Sequence, residues 1–325
     1  MQQFQATLNL LASVSCFVSL KADTGAEWAY SGKHGFLAPD AWHHLEQFKA
    51  CNGSRQSPIN IDTKMALPIS GSTRHIWQIN YDQYLSGINF INNGHSVQIE
   101  IPADVEIALI GGPTNFTYDL KQIHFHWGRS DKEGSEHLID GKQFPLAAHF
   151  VHLKRGLSLA EALTDENGIT VIGVLFEVND ETENPAMAAM LQSLDDIKFK
   201  GSSTKLSSPI KIKDLVPNQN PKVYTYKGSL TTPPCSETVN WIVYMEPQQI
   251  TSQQLAKLRS STYSTEAEQT PEIVAFNFRP IQPLNDRTLQ ERFAFFIEAK
   301  KATGLYSVNV QLVNFLVRLL GSQTN

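Results

Sequence analysis

Gln122-Ile123-His124-Phe125-His126-Trp127-Gly128 is the stretch on which the reading of this chain turns. Its residues are β-branched or aromatic apart from Gln122, the two histidines and the closing glycine. That composition reads as a strand, in which side chains alternate between the two faces. His124 and His126 therefore share a face, and Gln122 shares it with them. Two imidazoles side by side on a rigid strand can grip one metal ion, but they leave it short of ligands.

Outward from this stretch the pattern stays β-like. Short β-prone runs broken by Gly, Asn and Pro fall at 88–91, 96–101, 105–110 and 121–127, and further strands are expected at 146–153, 170–178 and 238–244. Candidate helices fall at 157–163, 185–194 and 250–260. Many strands with few short helices point to an α+β fold, mainly β, built on a large, mostly antiparallel twisted sheet with short peripheral helices. Residues 27–62 are rich in turn formers and aromatics (Trp28, Tyr30, Trp42) and read as irregular structure wrapped over the core.

The 325 residues give ample length for a core, and the formal charge of −5 supplies no basic field for nucleic acid. Residues 6–20 (ATLNLLASVSCFVSL) form an apolar run too short to span a bilayer comfortably. They read as the core of a secretory signal ending near residue 22, although no Lys or Arg precedes them. The alternative is a buried N-terminal helix. Of three cysteines, Cys16 lies in that segment and Cys51 and Cys235 remain. An even pair in a secreted chain suggests one disulfide, two unrelated buried thiols being the alternative. Asn52-Gly53-Ser54 and Asn115-Phe116-Thr117 are N-glycosylation sequons.

The C-terminal end reads as an extension, residues 289–325. Within 305–320, Ser307, Gln311, Asn314 and Arg318 follow helical spacing on an otherwise apolar segment. Such an amphipathic helix could dock on its own domain, lie on a membrane surface or bind a protein partner. The run is too short, and too charged at Arg318, to be a membrane span.

A third metal ligand is the next requirement. His149 sits in a second apolar, strand-like run, Leu146-Ala147-Ala148-His149-Phe150-Val151-His152. A strand beside the first could turn it toward His124 and His126. Three neutral imidazoles with an open fourth position describe a catalytic zinc site rather than a closed structural one, and no cysteine cluster competes for the metal.

Here the chain resembles the α-type carbonic anhydrases of the extracellular kind, from about Trp28 to Arg287. The resemblance rests on Gln56-Ser57-Pro58-Ile59-Asn60, Asn92-Asn93-Gly94-His95, the histidine stretch itself, Gly134-Ser135-Glu136-His137, His149-Phe150-Val151-His152, Gly228-Ser229-Leu230-Thr231-Thr232-Pro233-Pro234 and Asn277-Phe278-Arg279-Pro280. It implies a single domain over 27–288 and zinc-dependent, reversible hydration of CO2 to bicarbonate and a proton. In that family zinc acidifies its water to a pKa of about 7, carbonic anhydrase being the standard example of the effect. The hydroxide attacks CO2.

By position, the resemblance implies zinc ligation by His124, His126 and His149. It makes Thr231 a gatekeeper hydroxyl with Glu136 as its partner, and His95 the proton shuttle. Tyr30, Asn93 and Gln98 would line the wet side of the cavity. Val151, Val171, Leu230, Thr232, Val239 and Trp241 would form the wall that receives CO2. Gln122 would hold the first ligand, and the carbonyl of Asn277 the second. Cys51 and Cys235 match a disulfide pair of extracellular members. His137 and His152 match residues that make core hydrogen bonds. One position departs: the third ligand is usually held by a Glu two residues before it, and here that residue is Ala147. Weakened zinc binding follows, unless a water or another side chain substitutes. The alternative reading is therefore a catalytically weak, zinc-binding extracellular protein of the same fold.

Overall fold

In a computed structural model, which describes residues 28–69, 78–79, 81–217 and 222–293, the histidine stretch ends an eleven-residue strand, Thr117–Trp127. It lies near the middle of a thirteen-stranded sheet. The strands needed here are β1 (Leu67–Pro68), β2 (Asn89–Asn92), β3 (Val97–Glu100), β4 (Ala108–Ile110), β5 (Thr117–Trp127) and β6 (Leu146–Lys154). They continue with β7 (Ile169–Val178), β8 (Ser203–Lys205), β9 (Lys222–Gly228), β10 (Val239–Tyr244) and β11 (Gln290–Phe293). Their order is β8-β2-β3-β5-β6-β7-β10-β9-β11-β1, with β4 paired to the first half of β5. Along this path only β7–β10 and β11–β1 are parallel, so the sheet is mostly antiparallel, as the sequence predicts.

A register shift in β5 positions the site. Val151 of β6 pairs with Gln122, but the next residue, His152, pairs with Leu120, so Lys121 is skipped. An extra residue of this kind reverses the parity of a strand. Tyr118 and Leu120 before the bulge join the same apolar cluster as Ile123, Phe125 and Trp127 after it. Gln122, His124 and His126 are thereby released to the opposite face.

The two faces carry separate cores. One cluster takes Leu146, Ala148 and Phe150 of β6 and Ile172, Val174 and Phe176 of β7, and is covered by two helices, Pro185–Gln192 and Ser252–Ser260. Both helices start where the sequence supplies a cap: Asn184 accepts from Met187 N–H, and Thr251 with Gln254 forms a capping box. The other cluster gathers Ala147, Val151, Val171, Leu230, Val239 and Trp241 on the histidine face. A third packs Tyr30, Trp42, Phe48 and the Cys51–Cys235 disulfide beneath the N-terminal segment.

Several boundaries differ from expectation. β5 begins four residues earlier than residue 121, because Asp119 and Lys121 mask a strand whose outer half alternates with solvent. Val105 N–H closes a turn onto Pro102 O, so the 105–110 run is a strand only from Ala108. The sheet also continues past residue 288: Leu289 is buried and β11 pairs with β9, so these residues belong to the domain and not to an extension. The expected signal segment, 1–22, and the expected helix, 305–320, lie outside the described residues. Among the described residues no helix is long and apolar enough to cross a membrane.

Candidate active site and metal centre

His149 stands directly opposite His124 across the β5–β6 ladder, and Gln98 of β3 stands opposite His124 on its other side. His126 pairs with Ala147. The three imidazoles converge, with ring centroids 4.8 Å apart for His124–His126, 5.2 Å for His124–His149 and 4.5 Å for His126–His149. One nitrogen from each lies within 4.8 Å of the others.

The donor set fits a metal of the zinc kind. Burial holds His124 and His149 well below the ordinary histidine range, and the neighbouring imidazoles add to the effect. Both are therefore neutral at physiological pH and carry free lone pairs. The inward Nε2 of His126 is buried without a hydrogen-bond partner, as is Glu136 Oε2. Buried polar atoms are normally paired, so an unpaired imidazole nitrogen turned toward the other two rings is a donor available to a cation. Neutral nitrogen donors in tetrahedral reach suit zinc.

The ligands are aimed by hydrogen bonds on their outer nitrogens. His124 Nδ1 meets Gln122 Oε1 at 2.8 Å, and His126 Nδ1 meets the Asn277 carbonyl at 2.7 Å. Asn277 does more than the sequence reading gives it. Its side chain accepts from Trp127 N–H and donates to the carbonyls of Phe125 and His95, fastening the end of β5 to the His95 loop.

Glu136 is fully buried. Burial raises its pKa, while His126, the Thr231 hydroxyl that hydrogen-bonds to it, and Arg279 pull it down. Its Oε1 accepts from the backbone N–H of Arg279 at 2.8 Å. The Arg279 guanidinium donates to Gln56 Oε1, Ser57 O and Cys51 O. A single buried cation thus joins the disulfide segment to the carboxylate, a link that no spacing rule reveals.

The cavity above the triad is lined by the apolar Val151, Val171, Leu230 and Trp241 and by the polar Tyr30, Asn93, His95, Gln98, Gln122, Thr231 and Thr232. Val239 is not among the residues that line it: its side chain shares a face of β10 with Trp241 and is fully buried with it in the same apolar cluster. Trp28 is an unexpected member. Its ring stacks on His95 with centroids 3.9 Å apart and planes 9° off parallel. In that pose burial, with a lesser contribution from Lys200, lowers the His95 pKa to about 3, so the ring is neutral. Asn93 Oδ1 accepts from the N–H groups of His95 and Ser96, and Gly94 takes φ +87°, fixing the loop that presents the imidazole.

His137 and His152 make the core hydrogen bonds expected of them, to Tyr226 OH at 2.7 Å and Tyr81 OH at 3.0 Å. Asn52 and Asn115 are both exposed.

A family model described as "Eukaryotic-type carbonic anhydrase" matches residues 37–293. The chain is 39% identical over 269 residues to carbonic anhydrase 7 of Homo sapiens, covering 82% of this chain and 97% of that protein. It is 32% identical over 307 residues to carbonic anhydrase 6 of Mus musculus, covering 94% and 93%. It is 35% identical over 274 residues to carbonic anhydrase 3 of Homo sapiens, covering 82% and 98%.

Proposed function

Because the chain belongs to the eukaryotic-type carbonic anhydrases, we propose that it catalyses the reversible hydration of CO2 to bicarbonate and a proton at the three-histidine centre. The observation that carries this reading is the convergence of His124, His126 and His149 beside an apolar wall, with burial keeping His124 and His149 neutral. Zinc held by these three would supply Lewis acidity that makes a water nucleophilic near neutral pH, an effect for which carbonic anhydrase is the type case.

The chain's own residues do the rest. Val151, Val171, Leu230 and Trp241 offer a small nonpolar substrate a dry surface within reach of the centre. Thr231 donates its hydroxyl hydrogen bond to the Glu136 carboxylate. Its oxygen is then left as an acceptor toward the cavity. It orients a nucleophile that still carries a proton and disfavours anions that have none to donate. Replacing Thr231 by Val is expected to lower CO2 hydration by about 10²-fold while leaving bound zinc unchanged, the scale of a misplaced reacting group. Stopped-flow hydration on zinc-quantified protein tests it; an unaltered rate removes Thr231 from the mechanism.

His95 carries the released proton outward. The ring stacked on Trp28 is too well buried to hold a proton at neutral pH, so it must turn toward water to exchange with buffer. His95→Ala is expected to reduce the maximal rate by about 10²-fold in weak buffer, the usual scale of positioned proton transfer. Concentrated imidazole restores it. A rate insensitive to both the substitution and the buffer assigns proton release elsewhere.

The disulfide and the exposed sequons support secretion, with Asn52 and Asn115 as glycan acceptors. The amphipathic pattern of 305–320 supports a contact with a membrane surface or protein partner through that segment.

A further inference from the structure

Two of the three imidazoles are braced and one is not. His124 and His126 each present an outer nitrogen to an oxygen acceptor, at 2.8 and 2.7 Å. His149 has its Nδ1 3.7 Å from Glu136 Oε2, the same oxygen that lies 3.5 Å from the inward Nε2 of His126. Nδ1 is therefore the nitrogen that faces the centre. Nε2 is buried, and among the described residues it has no hydrogen-bond partner. Its edge of the ring is turned to the sheet, where Cδ2 would lie 3.8 Å from a Cβ built on Gly173. The side chain two residues earlier, on the same face of β6, is the buried methyl of Ala147, set in an apolar cluster with Phe144, Leu175 and Val243. A methyl accepts nothing.

This arrangement has chemical consequences. An imidazole that gives Nδ1 to a metal must keep its proton on Nε2. An acceptor at Nε2 fixes that tautomer, fixes the ring's rotation and raises the basicity of the donor nitrogen. Without one, the proton can sit on Nδ1 and cover the lone pair that faces the centre, and the bound form leaves an N–H buried and unpaired. The same face that gives His124 and His126 their acceptors gives His149 none.

We propose that residue 147 sets the lability of this metal centre: with alanine there, zinc is held weakly and released quickly, and His149 is the ligand that lets go. The inference rests on the zinc reading given above. Ala147 is a positioning residue, acting through His149 and touching neither metal nor substrate.

The test is zinc transfer from the loaded full-length chain to a chromogenic chelator, for the parent, Ala147→Glu and Ala147→Gln. Ala147→Glu is expected to bind zinc about 10–100-fold more tightly and to release it correspondingly more slowly, and Ala147→Gln to gain less. Parent-like affinity and release in folded variants overturn the proposal. A carboxylate in an apolar cluster can also prevent folding, so a second readout uses the parent alone. Among the imidazole N–H signals assigned to His124, His126 and His149, the proton spectrum of the zinc-loaded form should show two shifted downfield by hydrogen bonding and a third that is not. A third downfield signal means that His149 Nε2 has found an acceptor, and the proposal fails. A parent that takes up no zinc under any condition overturns the functional reading, and this inference with it. A parent that holds zinc as firmly as Ala147→Glu overturns this inference alone.

Discussion

Replacing His124 by Ala is expected to empty the metal site and abolish CO2 hydration without unfolding the protein. Every donor at the centre is an imidazole nitrogen, and among the described residues no other His, Cys or carboxylate group completes a second cluster. Removing His124 leaves His126 and the unbraced His149, and two imidazoles are too few for a stable tetrahedral site. The loss of zinc affinity should exceed the roughly 10–100-fold that follows removal of a ligand's hydrogen-bond partner. The fold should survive. Buried imidazole nitrogens of His126 and His149 have no hydrogen-bond partner among the described residues at this point. Taking one ring away costs its contacts, about 1 kcal/mol, and relieves part of that penalty. Zinc content, melting temperature and hydration rate measured on the same preparation separate these effects. A variant that keeps both zinc and rate contradicts the ligand assignment.

The second large effect is on stability. Substituting both Cys51 and Cys235 by Ser opens a link between residues 184 apart in sequence. In the chain-entropy picture a loop of that length is worth roughly 5 kcal/mol, and measured native disulfides cost about 2–5 kcal/mol to remove. Activity should fall further than stability alone accounts for at temperatures well below melting. Cys51 O accepts from the Arg279 guanidinium, and the Arg279 backbone N–H holds Glu136, the carboxylate proposed above to accept a hydrogen bond from Thr231. Loosening the Cys51 segment therefore relaxes the carboxylate that orients Thr231. Cys235 lies four residues beyond Thr231 and its N–H bonds Thr232 O, so the same bridge ties the gatekeeper turn directly. Denaturant unfolding and hydration kinetics on the double variant give both numbers. Unchanged kinetics in a destabilised variant restrict the bridge to a purely structural role.

The central facts of the site were legible in the sequence for a physical reason. A strand's period of two places His124 beside His126, and an apolar run of the same kind places His149 on the neighbouring strand. The roles of Glu136 and Thr231 were not legible that way. Each lies in a turn-like segment whose composition suggests only a solvated or capping residue, and it was resemblance that singled them out. Features with no local signature escaped altogether. The skipped Lys121 that reverses the parity of β5 depends on how β6 pairs with it. β9 carries Lys and Tyr residues that hide its period, and Trp28 reaches the cavity only because the N-terminal segment folds back over His95. The same holds for Arg279, whose four acceptors and neighbours come from segments more than 140 residues away in the chain. Val239 shares a face of β10 with Trp241, so alternation alone could not tell that only Trp241 reaches the cavity wall. In Ala147 the sequence showed a missing carboxylate, and the structure adds that no described side chain stands in for it.

The most direct test of the central claim, that the three histidines hold the metal on which turnover depends, is a titration. CO2 hydration is followed by stopped flow while zinc is added back to chelator-stripped protein, with bound metal measured at each point. The account predicts no rate above the uncatalysed reaction in the stripped chain, and a linear rise that breaks at one zinc per chain. Turnover in protein free of metal, or a rate that does not follow zinc occupancy, would contradict it.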